Sequence, residues 1–118
     1  MQVEEAVTIE LAPEQLWPWI AEPARRARWM PEESKVASRV ERSEPVRELV
    51  LKASGLPQDL EVRLTISLAP QGTGTRLVLL AEAELTGLMI FAEKMIAAKG
   101  QAKLQQWAQS LRGCISAG

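Results

Sequence analysis

Few residues in this chain can do chemistry, and their types limit what that chemistry could be. Glu82 and Glu84 sit two apart, the spacing that places two carboxylates on one face of a strand. Arg25, Arg26 and Arg28 form the only basic cluster, and Cys114 is the lone thiol. The chain has no His and no Tyr, and Asn is absent too; its only Asp is Asp59. Without His, the side chain that ordinarily titrates near neutral pH is missing. Ser–His and Cys–His nucleophile pairs are excluded, as are His-based metal sites. Gly72-Thr73-Gly74 is too short to cradle a phosphate. No cofactor or metal site is expected, and no catalytic constellation is recognisable. Enzymatic activity stays open, with these absences weighing against it.

The positioning elements follow from periodicity. Val3, Val7, Ile9 and Leu11 alternate with polar residues, as a half-buried strand requires, although Glu5 interrupts the apolar side. Alternation recurs at Val36-Ser38-Val40, Leu49-Leu51-Ala53, Leu60–Leu68 and Leu77–Leu85. Gly72-Thr73 suits a two-residue turn whose first central residue has positive φ. That turn sets Gln71 against Gly74, Ile66 against Leu79, Leu64 against Ala81, and Arg63 against Glu82 on the wet face. A hairpin through Gly55-Leu56-Pro57 is expected to pair Leu51 with Val62 and Lys52 with Glu61. Another at Ser43-Glu44 is expected to pair Ser38 with Leu49 and Arg39 with Glu48. The result is an antiparallel sheet of about five strands with one aliphatic face and one charged face.

Between the first two strands lie two short helices, Pro13–Ala21 and Pro23–Trp29. Leu16, Trp17 and Ile20 share a face of the first. Pro18 should delay its start to about Gln15 or kink it. Residues 87–112 read as one long helix with two apolar stripes out of phase. Leu88, Phe91, Ala92, Met95, Ala98, Lys99 and Ala102 form one; Leu104, Trp107, Ala108, Leu111 and Ile115 form the other. A bend or a change of buried face near Gly100 would let both reach the sheet. Otherwise one stripe is exposed and available to a partner. Trp107 is the expected oligomer contact, so a homodimer is a candidate assembly.

At 118 residues, with 47% hydrophobic and 25% charged content, the chain reads as a single domain over 1–118. A net charge of −1 gives no footprint for nucleic acid, and no apolar run is long enough for a membrane span. The arginine cluster reads as a solvated helix face. The acidic opening, MQVEEAV, is unlike a secretory signal, and one Cys builds no disulfide framework. A reducing cytoplasm is the expected location.

Several short motifs carry a family resemblance. They are Val7-x-Ile9-x-x-Ala12-Pro13-Glu14-x-x-Trp17, Trp29-x-Pro31, Leu68-x-Pro70-x-Gly72-x-Gly74-Thr75-Arg76-Leu77, and Glu84-Leu85-Thr86-Gly87. With the order of elements, they resemble a shortened member of the SRPBCC superfamily. The START-like and polyketide cyclase/dehydrase branches, with proteins like the G-type component of CO dehydrogenase, are nearest. The resemblance implies an α+β helix-grip fold: a curved antiparallel sheet wraps a long C-terminal helix over a hydrophobic pocket. It further implies binding of a small hydrophobic molecule such as a lipid, terpenoid or polyketide. A polyketide cyclase/dehydratase-type enzyme and a co-chaperone-like interaction module are the alternatives. The expected ligand-binding residues are Leu49, Leu64, Ile66 and Leu79 on the sheet and Phe91 and Met95 on the helix. Trp17 and Trp29 are expected at the mouth. Each of these residues also suits an ordinary core. Ser38 and Glu5 are the polar residues expected on the inner face.

Overall fold

A computed structural model describes residues 1–54 and 60–117. Five strands form one antiparallel sheet: β1 (Gln2–Ile9), β2 (Ala37–Glu44), β3 (Glu48–Ser54), β4 (Val62–Gln71) and β5 (Gly74–Ala83), in the order β1-β5-β4-β3-β2. The first and last strands, β1 and β5, pair, which leaves β1 and β2 as the edges. Helices α1 (Pro13–Ala21) and α2 (Pro23–Trp29) follow β1, and α3 (Glu93–Ser116) closes the chain. Single turns of 3-10 helix at Pro31–Lys35 and Gly87–Ala92 lead into β2 and α3. This is the helix-grip arrangement.

The β4–β5 register is the one the turn chemistry demands. Gly72 has φ +61°, Gln71 pairs with Gly74, and Arg63 pairs with Glu82. Arg63 gives its ion pair to Glu41 rather than to Glu82. The β3–β4 register differs from expectation by two residues, with Leu51 opposite Leu64 and Lys52 opposite Arg63. A two-residue shift preserves which face each side chain takes, so the inner face is unchanged. The turn assigned to Gly55-Leu56-Pro57 lies outside the described residues. The β2–β3 turn falls at Pro45-Val46-Arg47, not at Ser43-Glu44, with Arg47 N–H donating to Glu44 O at 2.9 Å. Ser38 therefore faces Ala53 and Arg39 faces Lys52. A bulge between Val40 and Arg42 absorbs the extra residue, and such a bulge leaves no trace in an alternating pattern.

Helix α1 begins at Pro13, its first helical position, and carries Pro18 inside it; the late start at Gln15 does not occur. The Gln15 side chain helps by accepting a hydrogen bond from Ala12 N–H at 3.4 Å. Leu16, Trp19 and Ile20 are buried on it, and Trp17 is only partly covered.

The glycines around the β4–β5 hairpin have separate jobs. Gly72 supplies the positive φ. Gly74 supplies close approach: a Cβ there would stand 2.5 Å from Ile9 O across the β1–β5 pair. Beside it, Thr75 is fully buried and donates its hydroxyl to Leu11 O at 2.7 Å, which fixes the exit of β1 into α1. Gly74→Ala should therefore lose about 1–3 kcal/mol, as an overpacked site does. Gly113→Ala, in α3 with nothing near its added methyl, should gain about 1 kcal/mol of helix propensity. Chemical denaturation of the two variants checks both signs.

Candidate functional site

Helix α3 is seated by a single apolar stripe. Leu104, Ala108 and Leu111 are buried, with Ala97, Trp107 and Ile115 packed beside them. Run backward, the same stripe passes through Gly100, where a Cβ would lie 3.3 Å from Val3 Cγ2. The buried face is thus continuous from Ala97 to Ile115, and the expected switch at Gly100 does not occur. The other stripe turns outward. Leu88 and Phe91 are 84% and 87% exposed, and Ile90 and Met95 are more than half exposed. The expected helix over 87–112 is in fact a 3-10 turn at Gly87–Ala92, which carries Leu88, Ile90 and Phe91, followed by α3 from Glu93 to Ser116, so only Met95 is turned outward by the phase of α3 itself.

The inner face of the sheet has two unlike halves. Leu49, Ile66, Leu68, Leu77 and Leu79 pack into a dense core with Leu16, Ile20, Trp29, Met30 and Leu111. Toward the other ends of β3, β4 and β5 the packing opens. A cavity of about 230 Å³ lies there between the sheet and α3. Leu51, Ala53, Val62, Leu64 and Ala81 wall it from the sheet; Gly100, Leu104 and Trp107 wall it from the helix. Met30 and Val36 close one side.

Glu32, Glu33, Ser38 and Lys103 border it too, but nearly all of the surface that faces the cavity is carbon. Glu32 accepts Lys103 Nζ–H at 2.8 Å and Trp107 Nε1–H at 2.9 Å. These two bonds, Lys103's first, hold the Glu32 carboxyl at about 2, well below its usual value of 4.5. Lys103 and Glu32 expose 41% and 35% of their side chains, so this pair lies at the protein surface. Glu33 is held from behind. Its two oxygens accept Arg26 Nε–H at 2.7 Å and Nη2–H at 3.1 Å, and Ser38 donates its hydroxyl to it at 2.9 Å. Arg26 also donates Nη1–H to Ile20 O at 2.8 Å. The arginine cluster is therefore not one solvated face. Arg26 is buried and paired, while Arg25 and Arg28 lie over the Trp19 ring at 5.5 and 5.2 Å.

Of the expected ligand-binding residues, Leu64 lines the cavity. Leu49, Ile66 and Leu79 share its face of the sheet but belong to the packed half. Phe91 and Met95 project into solvent from the outward stripe. Trp29 is fully buried, with Nε1–H donating to Trp19 O at 2.8 Å, so it anchors the core and stands at no mouth. Trp17 packs at the core margin and does not reach the cavity. Trp107, expected to meet a second copy of the chain, is instead a cavity wall. Ser38 does face inward; Glu5 lies outside the cavity and accepts a long hydrogen bond from Gln101 Nε2 at 3.5 Å. Glu82 and Glu84 lie away from the cavity, in a shallow charged groove of about 670 Å³ that Lys52, Glu61 and Arg63 also line. Glu32, Glu33 and Lys103 are additions that residue types did not suggest. Lys103 and Trp107 are one helical turn apart on the edge of the buried stripe, which is the signal that points to them.

No protein-family model matches the chain, and no curated protein matches it closely enough to count as a relative. Solved structures share its fold. Protein MLL2253 from Mesorhizobium loti matches with a TM-score of 0.81 at 18% identity, covering 98% of this chain and 97% of its own. DynU16, described as a putative protein in the dynemicin biosynthetic locus, matches with a TM-score of 0.78 at 14% identity. That match covers 98% of this chain but 47% of DynU16, so this chain spans about half its length. CalU16 from Micromonospora echinospora matches with a TM-score of 0.73 at 14% identity, covering 97% of this chain and 73% of its own. These likenesses establish the fold. Among the described residues, no helix is long and apolar enough to cross a membrane.

The ties to Glu32 should report on pH. A carboxylate with a depressed folded pKa contributes stability above its unfolded value, and the contribution fades as pH falls toward the folded value. For Glu32 that window runs from about 4.5 down to about 2. Glu32→Gln should cost about 1 kcal/mol at pH 7, the scale of a partly exposed pair. The difference from the parent should shrink to nothing near pH 2. In the parent, the Trp107 indole N–H resonance should titrate close to pH 2 rather than between 4 and 5.

Proposed function

We propose that the protein binds or carries a small hydrophobic molecule in the cavity between the sheet and α3. The observation that carries this reading is the cavity itself, whose surface is almost wholly apolar and comes chiefly from aliphatic side chains and Trp107. Its volume sets the ligand's size. An apolar cavity of about 150 Å³ accepts benzene, whereas drug-sized ligands need roughly 300–1,000 Å³. A cavity of 230 Å³ suits one or two rings, or a short terpenoid, rather than a folded polyketide chain or a long acyl lipid.

A cyclase or dehydratase role draws support only from the biosynthetic locus that DynU16 is described as belonging to. The two carboxylates at the cavity argue against it. Glu32, held near 2, is a weak base, and both Glu33 oxygens are engaged by Arg26. Glu32 is therefore not poised to take a proton near neutral pH.

A separate observation favours self-association. Leu88, Ile90, Phe91 and Met95 crowd one short segment and are all exposed, unlike the scattered apolar residues of a monomer's surface. A second copy of this chain, placing the same stripe against it, would cover both at once. Light scattering should give a dimer mass for the parent and a monomer mass for Phe91→Lys. A monomeric parent at high concentration rules the dimer out.

The binding reading is tested with naphthalene and Trp fluorescence. The parent should bind it, with quenching that is lost in Trp107→Phe, since Trp17, Trp19 and Trp29 also emit but do not line the cavity. Ala81→Leu, which places extra methyl groups in the hollow, should lose at least about tenfold in affinity, the effect of roughly 1.4 kcal/mol. Its stability should change by less than the roughly 1–3 kcal/mol that overpacking costs a filled core. Absence of binding by the parent, or full stability loss in Ala81→Leu, ends this reading.

A further inference from the structure

The wall of the cavity offers a polar group almost nothing to bond to. That narrows the ligand class beyond the binding reading proposed above, on which this inference rests. Strands β3, β4 and β5 lie inside the sheet, so their paired backbone N–H and C=O groups are spent on neighbouring strands. The side chains that wall the cavity from the sheet are all aliphatic. On the helix side Gly100 and Leu104 add no polar side chain, and the Trp107 indole N–H is given to Glu32. The charged groups at the border are engaged with one another. Glu32 takes Lys103 and Trp107, and Glu33 takes Arg26 and the Ser38 hydroxyl. What faces the hollow is nearly all carbon.

Such a wall selects by exclusion. A hydroxyl, carbonyl or amide taken from water into it loses hydrogen bonds and gains none. A carboxylate loses far more, because it enters as a charge. A methyl group of the same size loses nothing and gains the burial of its carbon. Only a group left outside in water escapes the cost, and a molecule of one or two rings in 230 Å³ has little length to leave outside. A polyketide chain suits this wall least. It carries oxygen on alternate carbons, so any stretch short enough to fit brings oxygen with it. Aromatic acids are disfavoured by their charge, and phenols and terpene alcohols by their hydroxyl.

We infer that the ligand is a hydrocarbon with no hydrogen-bonding group: a one- or two-ring arene, or a terpene hydrocarbon of that size. The protein holds the bare skeleton and rejects its oxygenated forms, so it discriminates by polarity among molecules of one shape.

The test measures binding by equilibrium dialysis at pH 7 for two matched pairs: p-xylene with p-cresol, and 2-methylnaphthalene with 2-naphthol. Within each pair the shape is nearly the same and a methyl is exchanged for a hydroxyl. Each phenol should bind more than about thirtyfold more weakly than its hydrocarbon. That exceeds what transfer into octanol, which itself offers hydrogen bonds, costs a hydroxyl. Ala81→Leu, which fills the hollow, should weaken the hydrocarbons by at least about tenfold, which places their binding in the cavity. A smaller ratio in either pair overturns the inference and leaves the cavity reading standing, because the hydroxyl has then found a partner or reached water. If only one hydrocarbon binds, its pair alone decides. If neither hydrocarbon binds the parent, or both bind Ala81→Leu undiminished, the cavity reading falls and this inference with it.

Discussion

Gly100 lies so close to β1 that a methyl group in its place would stand 3.3 Å from Val3 Cγ2. This contact fixes how near α3 comes to the sheet and which line of its residues faces down. Below it, Leu104, Ala108 and Leu111 sink into the core. Two hydrogen bonds align the helix along β1: Gln101 Nε2–H to Glu4 O and Arg112 Nη2–H to Thr8 O, each 2.8 Å. With the helix held in that rotation, Trp107 and Lys103 look toward the open end of the sheet, and Met95 looks away. The cavity is a consequence of this seating.

A second constraint holds part of the cavity's border in place. Arg26 is buried with 5% of its side chain exposed, and its bidentate partner Glu33 exposes 16%. Burying such a pair brings little net stability, but removing one partner strands a charge and costs roughly 3–5 kcal/mol. The pair therefore acts as a locating device. It joins the last turns of α1 and α2 to the 3-10 turn, and through Ser38 it reaches β2. Glu32, the adjacent residue, is thereby presented to Lys103 and Trp107. The chain commits two charged residues to geometry.

The fold recurs in proteins that share under a fifth of this chain's residues. At that distance the shared property is the architecture, and functions are set by the residues grafted onto it. Here the sheet has five strands, and the space under α3 is divided between a packed half and a hollow of 230 Å³. The size of that hollow is a property of these residues and not of the fold.

Strand content, the face of each strand and the β4–β5 register were legible in the sequence, because alternation and Gly-first turn chemistry are local properties. So was the presence of a long closing helix. Strand pairing around β2 and β3 was not, since a bulge and a three-residue turn shift partners without disturbing alternation. The candidate site was legible only in part. Leu64 and Ser38 could be placed inward from register alone. The choice between two equally apolar helical stripes could not be made, because each satisfies the same periodicity and only contact with Val3 and the core distinguishes them. Trp17 and Trp29 look alike as pocket gates in sequence, yet Trp29 is buried because its indole finds the Trp19 carbonyl. The sequence by itself determined which residues are apolar and how often they recur, and so determined the elements. The tertiary structure decided which of those residues meet, because side-chain burial depends on the rotation and approach of whole elements, and no local pattern encodes either.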